Sequence, residues 1–218
     1  MVAYGGDYKT RWVDMSGNRI LFTLALSFCI GCAQQALAQS PVVPKYKGRE
    51  LILPTGYETW VFVGSNLGLA YKEELKEMTP LEMTRADQAL FHNIYINPEA
   101  YAHFRKTGEF PNPTILVMDM FEAADKQQNG ALAKGVYDGD RRGIQVAVKN
   151  IGRPDPRITR PPWAYYIFTE QANPLKLKAT APAEPDNNCE TCHKAHGLVD
   201  NVWVQFYPAL RELLKTAK

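Results

Sequence analysis

Thr114-Ile-Leu-Val-Met-Asp-Met-Phe121 is an apolar run broken only by Thr114 and Asp119. Its shortness, its branched residues and its aromatic end predict a strand. Working back towards the N-terminus, Glu99-Ala-Tyr-Ala-His-Phe-Arg-Lys106 is made of helix formers, with Asn97 as N-cap, Pro98 at the first helical position and Gly108 as the stop. Phe91-His-Asn-Ile-Tyr-Ile96 predicts a strand ending at Asn97-Pro98, and Thr59-Trp-Val-Phe-Val-Gly64 predicts another. Arg49-Glu-Leu-Ile-Leu-Pro54 is a short apolar run that ends at a turn. Between these, Glu73, Glu74, Lys76 and Glu77 form a charge run that reads as a solvated helical face.

On the C-terminal side of the opening run, residues 134 to 142 carry the Gly and Asp of a turn, and Gly143-Ile-Gln-Val-Ala-Val148 is strand-like. Residues 153 to 162 hold four prolines and predict a loop, after which Trp163-Ala-Tyr-Tyr-Ile-Phe168 is an aromatic strand. Val202, Phe206, Leu210 and Leu213 recur at helical spacing, with Pro208 suited to the first turn of a last helix. The sum is an α+β domain, predominantly antiparallel β-sheet with short helices.

The chain has 218 residues, 45% of them hydrophobic and 22% charged, enough for one well-packed core. Lys and Arg number 25 against 23 Asp and Glu, so the basic surface that nucleic-acid binding needs is missing. Residues 20 to 38 form an apolar stretch ending in Ala-Leu-Ala38, with Arg11 and Arg19 upstream, the order of a secretory signal cleaved after Ala38. The apolar part is too short to span a membrane, so residues 1 to 38 predict export, to the periplasm, with no membrane span once the signal is removed. Two minor variants are a start at Met15 and lipidation of Cys32 as a lipoprotein anchor. The mature domain, 39 to 218, keeps only Cys189 and Cys192.

Those two cysteines lie in Cys189-Glu-Thr-Cys192-His193, and C-x-x-C-H is the attachment sequence of c-type haem. Thiols three positions apart sit about one helical turn apart and can each add to one vinyl group of the porphyrin. The residue that follows carries the imidazole that ligates the iron. A thioredoxin-like dithiol is the first competing reading, but it wants a strand–helix opening, and here a Pro-rich stretch precedes the pair. A zinc site is the second, with Cys189, Cys192 and His196 as three ligands. Export together with the unbroken motif favours covalent haem c, with His193 as the metal ligand. His92 and His103 read as packed or exposed polar residues, and His196 lies too close to His193 to reach the other haem face.

With these residues in view, the chain resembles the cytochrome P-460 family, which includes the β-sheet type of cytochrome c-prime. The resemblance runs through Leu53-Pro-Thr-Gly-Tyr-Glu-Thr-Trp-Val-Phe-Val-Gly64, Tyr95-Ile-Asn-Pro-Glu-Ala-Tyr-Ala-His-Phe-Arg-Lys-Thr-Gly-Glu-Phe110, Trp163 to Phe168, Cys189 to Lys194, and Gln205-Phe-Tyr-Pro-Ala-Leu-Arg211. It implies a small antiparallel β fold, often a homodimer, with a five-coordinate haem open on its far face. It also implies two functional positions in members that oxidise hydroxylamine: a lysine cross-linked to the haem and a nearby acidic residue that handles protons. In an ungapped reading these fall on Met118 and Gln145. A thioether cannot form the cross-link and an amide does not titrate. Lys126, Lys134 and Lys149 are the other lysines to consider for that role.

The expectation is therefore a monohaem cytochrome that binds a small diatomic or nitrogenous ligand, nitric oxide first, between walls for which Phe91, Phe104, Phe110 and Phe121 are candidates. Two alternatives stand beside it: an oxidoreductase acting on hydroxylamine or nitric oxide, and a simple electron-transfer cytochrome with Met118 as sixth ligand. A partner cytochrome is the expected redox partner in either case.

Overall fold

The computed structural model describes residues 40–69, 89–125, 135–149, 163–170, 176–185 and 187–216. The expected signal segment with Cys32, the charge run at 73–77, Lys126, Lys134 and the proline-rich 153–162 lie outside the described residues. Among the described residues no helix is long and apolar enough to cross a membrane.

Among the described residues eight strands form two sheets. Strands β1 (Tyr46–Lys47), β2 (Glu50–Ile52) and β8 (Thr180–Ala181) make a small antiparallel sheet in the order β1-β2-β8. The main sheet follows chain order through β3 (Val61–Leu67), β4 (Leu90–Ile96), β5 (Thr114–Ala124), β6 (Tyr137–Lys149) and β7 (Trp163–Ile167), every neighbour antiparallel. Helices α1 (Pro98–Thr107), α2 (Glu190–His196) and α3 (Pro208–Thr216) complete the fold. The α+β, mostly antiparallel architecture expected from the sequence is the one observed.

The opening run of the sequence is the middle strand, β5, and its nearly continuous hydrophobicity has a structural cause. Both faces of the sheet are covered, so both sets of alternating side chains are buried. Ile115, Val117, Ile144, Val146, Ala164 and Tyr166 pack on one side with Leu51 and Ala181 of the small sheet. Leu116, Ile94, Ile96 and Trp163 pack on the other with Phe104 of α1 and Leu210 of α3. We call this second side the helical face.

Three local readings shift. Thr59 belongs to a 3-10 turn, Tyr57–Thr59, and the strand begins at Val61 and runs on to Leu67. Residues 137 to 142 are strand rather than turn, because β5 extends past Phe121 to pair Ala123 with Asp138 and Ala124 with Tyr137. The helical spacing from Val202 becomes an isolated bridge, then a 3-10 turn at Val204–Phe206, and α3 starts only at Pro208. Helix α1 matches its signals, with Gly108 in the left-handed conformation at its end. Asn97, however, makes no side-chain cap: its Oδ1 accepts the backbone N–H of Ile115 at 2.8 Å, tying the helix start to β5.

Candidate functional site

Cys189, Cys192 and His193 come together on α2, with Cys189 at its N-cap and the His193 N–H donating to the Cys189 carbonyl at 3.0 Å. The seven-residue helix ends where the Gly197 N–H donates to the His193 carbonyl at 2.8 Å. It lies against β7, where the ring of Tyr165 stands 4.5 Å from the imidazole of His193. Trp203 faces the same imidazole at 5.3 Å, and Phe206 follows Trp203 at 5.8 Å.

The imidazole is fixed by more than ring contacts. Its Nδ1 lies 3.0 Å from the backbone carbonyl of Asn201, and a carbonyl only accepts, so Nδ1 carries the proton. The lone pair is then on Nε2. Burial pushes the His193 pKa below its usual value, opposed in part by the Asn201 contact, so the ring is a neutral donor at physiological pH. This is the state a metal requires, and the hydrogen bond to the outer nitrogen is how ligating histidines are commonly oriented.

Burial also pushes the thiol of Cys189 up to about 12 and raises that of Cys192. A working redox dithiol relies on the opposite shift at its attacking sulfur. The zinc reading loses its third ligand. His196 is exposed at the end of α2, and among the described residues no group of three His, Cys, Asp or Glu side chains gathers as a metal site.

Met118 and Gln145 sit on the helical face, directly paired across β5 and β6, with Ile94 and Ile167 completing the row. Met118 packs against the same cluster as Tyr165 and Ala147. The Gln145 side-chain Nε2 is buried without a hydrogen-bond acceptor, a position that normally costs about 1–3 kcal/mol unless another group supplies the acceptor. The four phenylalanines do not share one wall. Phe104 and Phe110 pack together at 4.5 Å under α1, whereas Phe91 lines an open groove with Phe62 and Tyr95 on the opposite face of the sheet. Lys149 is engaged elsewhere, its Nζ donating to the Phe110 carbonyl and to Asp200 Oδ2, each at 2.7 Å.

The cytochrome P460 family model matches residues 54–204, a span that takes in the whole main sheet and α2. The chain belongs to the cytochrome P460 family. No curated protein matches it.

Membership makes this a haem cytochrome, and the residues of the site fit that cofactor. A neutral imidazole with its outer nitrogen already bonded, two thiols on the same helix and flanking aromatic rings are the donor set and apolar setting a porphyrin needs. Sequence reasoning missed Asn201, Tyr165 and Trp203 as neighbours of His193, and Glu190 as well. Glu190 is only 6% exposed and accepts from Asn201 Nδ2 at 2.7 Å. Tyr165 lies beside it; burial first, and then the Glu190 carboxylate, drive that phenol far above its ordinary pKa.

Proposed function

We propose that this P460-family protein is an exported monohaem c-type cytochrome that binds nitric oxide. In this reading Cys189 and Cys192 hold the porphyrin through thioether bonds and His193 ligates the iron through Nε2. The iron supplies the ligand-binding site, and the remaining work falls to the chain. Met118 presents an apolar, non-titrating side chain on the helical face, and Gln145 beside it offers an amide N–H. The observation that carries the proposal is this pair on facing positions of β5 and β6, with the Gln145 amide buried and lacking an acceptor. A small, nearly neutral ligand suits such surroundings: it crosses apolar walls and gives the amide an acceptor. Hydroxylamine oxidation must also dispose of protons, and neither side chain of the pair can take one near neutral pH.

Adding nitric oxide to the reduced, purified protein by stopped flow tests the reading. A stable nitrosyl spectrum is expected, with the ferric protein high-spin beforehand. No spectral change would end the proposal, and a low-spin ferric spectrum with a methionine–iron band would assign Met118 to the iron and the protein to electron transfer. Mass spectrometry of the exported protein tests the rest, because the mature mass must begin after Ala38 and include one porphyrin.

A further inference from the structure

The turn just beyond the motif is constructed with unusual care. Asp200 and Asn201 both adopt left-handed backbone, at φ 46° and φ 63°. Val199 and Val202 close the turn with reciprocal backbone hydrogen bonds of 3.3 and 2.8 Å. Two consecutive positive φ values are what a tight type I′ turn demands, and Asp and Asn tolerate them best among residues with a side chain. The turn is pressed onto Gly197, where an added Cβ would lie 2.4 Å from the Asn201 carbonyl carbon and 2.7 Å from its Cα. The outcome is that the Asn201 carbonyl meets Nδ1 of His193.

Side chains tie the turn down from both ends. Lys149 on β6 reaches Asp200, and Asn201 Nδ2 donates to Glu190 Oε1. Glu190 occupies a position of the C-x-x-C-H motif whose chemistry the haem bonds leave free. A carboxylate there would ordinarily turn to solvent, since burial is costly without compensation. Instead it is buried between Asn201 and Tyr165.

We propose that Glu190 and Asn201 are positioning residues for the iron ligand: Glu190 holds Asn201 so that its backbone carbonyl accepts from His193 Nδ1, setting the orientation of the imidazole and the strength with which it donates to iron. This rests on the reading that His193 ligates a haem. A firmly held acceptor draws the Nδ1 proton and makes Nε2 a better donor, which strengthens the bond to iron and favours the oxidised metal. Loosening the acceptor reverses both effects.

The test uses the haem-loaded protein and two readings, the iron–histidine stretching band of the ferrous state by resonance Raman and the midpoint potential. In Glu190→Ala the band should fall in frequency and broaden, and the potential should rise. Asn201→Gly should do the same, because glycine keeps the carbonyl and accepts the positive φ while removing the amide anchor. The double variant should shift no further than either single one, as both act on one contact. Glu190→Gln retains an oxygen that accepts from Asn201 and should stay close to the parent. Unmoved bands and potentials in both Glu190→Ala and Asn201→Gly, with haem content and melting temperature intact, would overturn the proposal. So would a Glu190→Gln shift as large as that of Glu190→Ala, since charge rather than position would then be responsible. A colourless parent protein would instead bring down the haem assignment itself.

Discussion

Met118 lies directly across the β5–β6 ladder from Gln145, and both project from the face that carries Tyr165, whose ring packs at a tilt against the imidazole of His193. Facing positions of antiparallel strands bring Cβ atoms to about 4.5–5.5 Å, so the two side chains act on the same small volume. In the ungapped reading of the sequence, these are the positions on which the lysine and the acidic group of hydroxylamine-oxidising family members fall. The ladder makes that pairing physically sensible, because one register step sets both groups.

Gln145→Leu should therefore leave nitric oxide binding intact but faster to reverse. A hydrogen bond between neutral partners contributes about 0.5–1.5 kcal/mol net, which corresponds to dissociation roughly 2- to 10-fold faster. Laser photolysis or ligand exchange in the reduced protein gives the rate. The same substitution removes a buried unsatisfied amide, so the ligand-free protein should melt no lower than the parent. An unchanged dissociation rate would remove Gln145 from the ligand's surroundings.

Changing both partners, Met118→Lys with Gln145→Glu, tests why this pair departs from the hydroxylamine-oxidising pattern. The double variant should acquire a proton acceptor and an amine within reach of it, and hydroxylamine-dependent reduction of an artificial electron acceptor should rise above the parent's background. Met118→Lys alone places an amine among Leu116, Ala147 and Tyr165 and should be the less stable of the two proteins.

On the opposite face, the Tyr57 hydroxyl donates to Asp119 Oδ2 at 2.6 Å, and Arg141 grips the same carboxylate from Nε at 2.8 Å and from Nη2 at 2.9 Å. Asp119 is 2% exposed, so these donors are what make its burial tolerable. Tyr57→Phe removes one bond to a charged acceptor and should lower stability by about 1.5–3 kcal/mol. Asp119→Ala should cost more, because the phenol is then buried without its partner. Denaturant melts of both variants give the order, and nitric oxide binding should be unaffected.

Gly64 sets the distance between β3 and the C-terminal segment. A Cβ there would stand 2.8 Å from Pro208 Cδ and 3.2 Å from Tyr207 Cα, and both neighbours are tied to backbone. Gly64→Ala should cost about 1–3 kcal/mol through overpacking, with the displacement carried into the chain that also supports Trp203. Calorimetric melting checks the cost, and a change in the haem absorption bands would report the displacement.

How much of this the chain declares in advance depends on whether the cause is local. Helix α1 is declared by Pro98 and Gly108, which act within one turn of themselves. The role of Asn97 is hidden, because its side chain bonds Ile115 across eighteen positions of sequence. Residues 137 to 142 look like a turn since Gly and Asp carry that signal. They are held as strand by distant partners: Asn93 donates to Asp138 at 2.8 Å, and Asp119 fixes Arg141. At the site, Cys189, Cys192 and His193 are legible because they stand in the C-x-x-C-H spacing, a pattern contained within five consecutive residues. Asn201 acts on His193 through its backbone carbonyl, and a carbonyl has no residue identity to read. The one available sign is an Asp-Asn pair between two valines, a turn signature with nothing in it to point back at the imidazole.

Acid should destabilise the protein through His92. This residue lies within β4, paired with Asn66 on one side and Met120 on the other, and burial lowers its pKa from the ordinary 6.5. The folded state thus keeps the ring neutral where the unfolded chain protonates it. Stability contributed by the neutral ring is complete above pH 6.5 and is withdrawn as the pH falls through that value, since the unfolded state then binds more protons. Each tenfold difference in proton affinity between the two states withdraws about 1.4 kcal/mol. His193 is also depressed in the bare chain, but the proposed iron ligation would remove it from the titration in the haem-loaded protein. His92→Phe should consequently flatten the fall in unfolding free energy between about pH 6.5 and 5 in that protein. Equilibrium urea unfolding at half-unit steps measures the slope for both proteins. An identical slope in parent and variant would mean that His92 reaches water and titrates alike in both states.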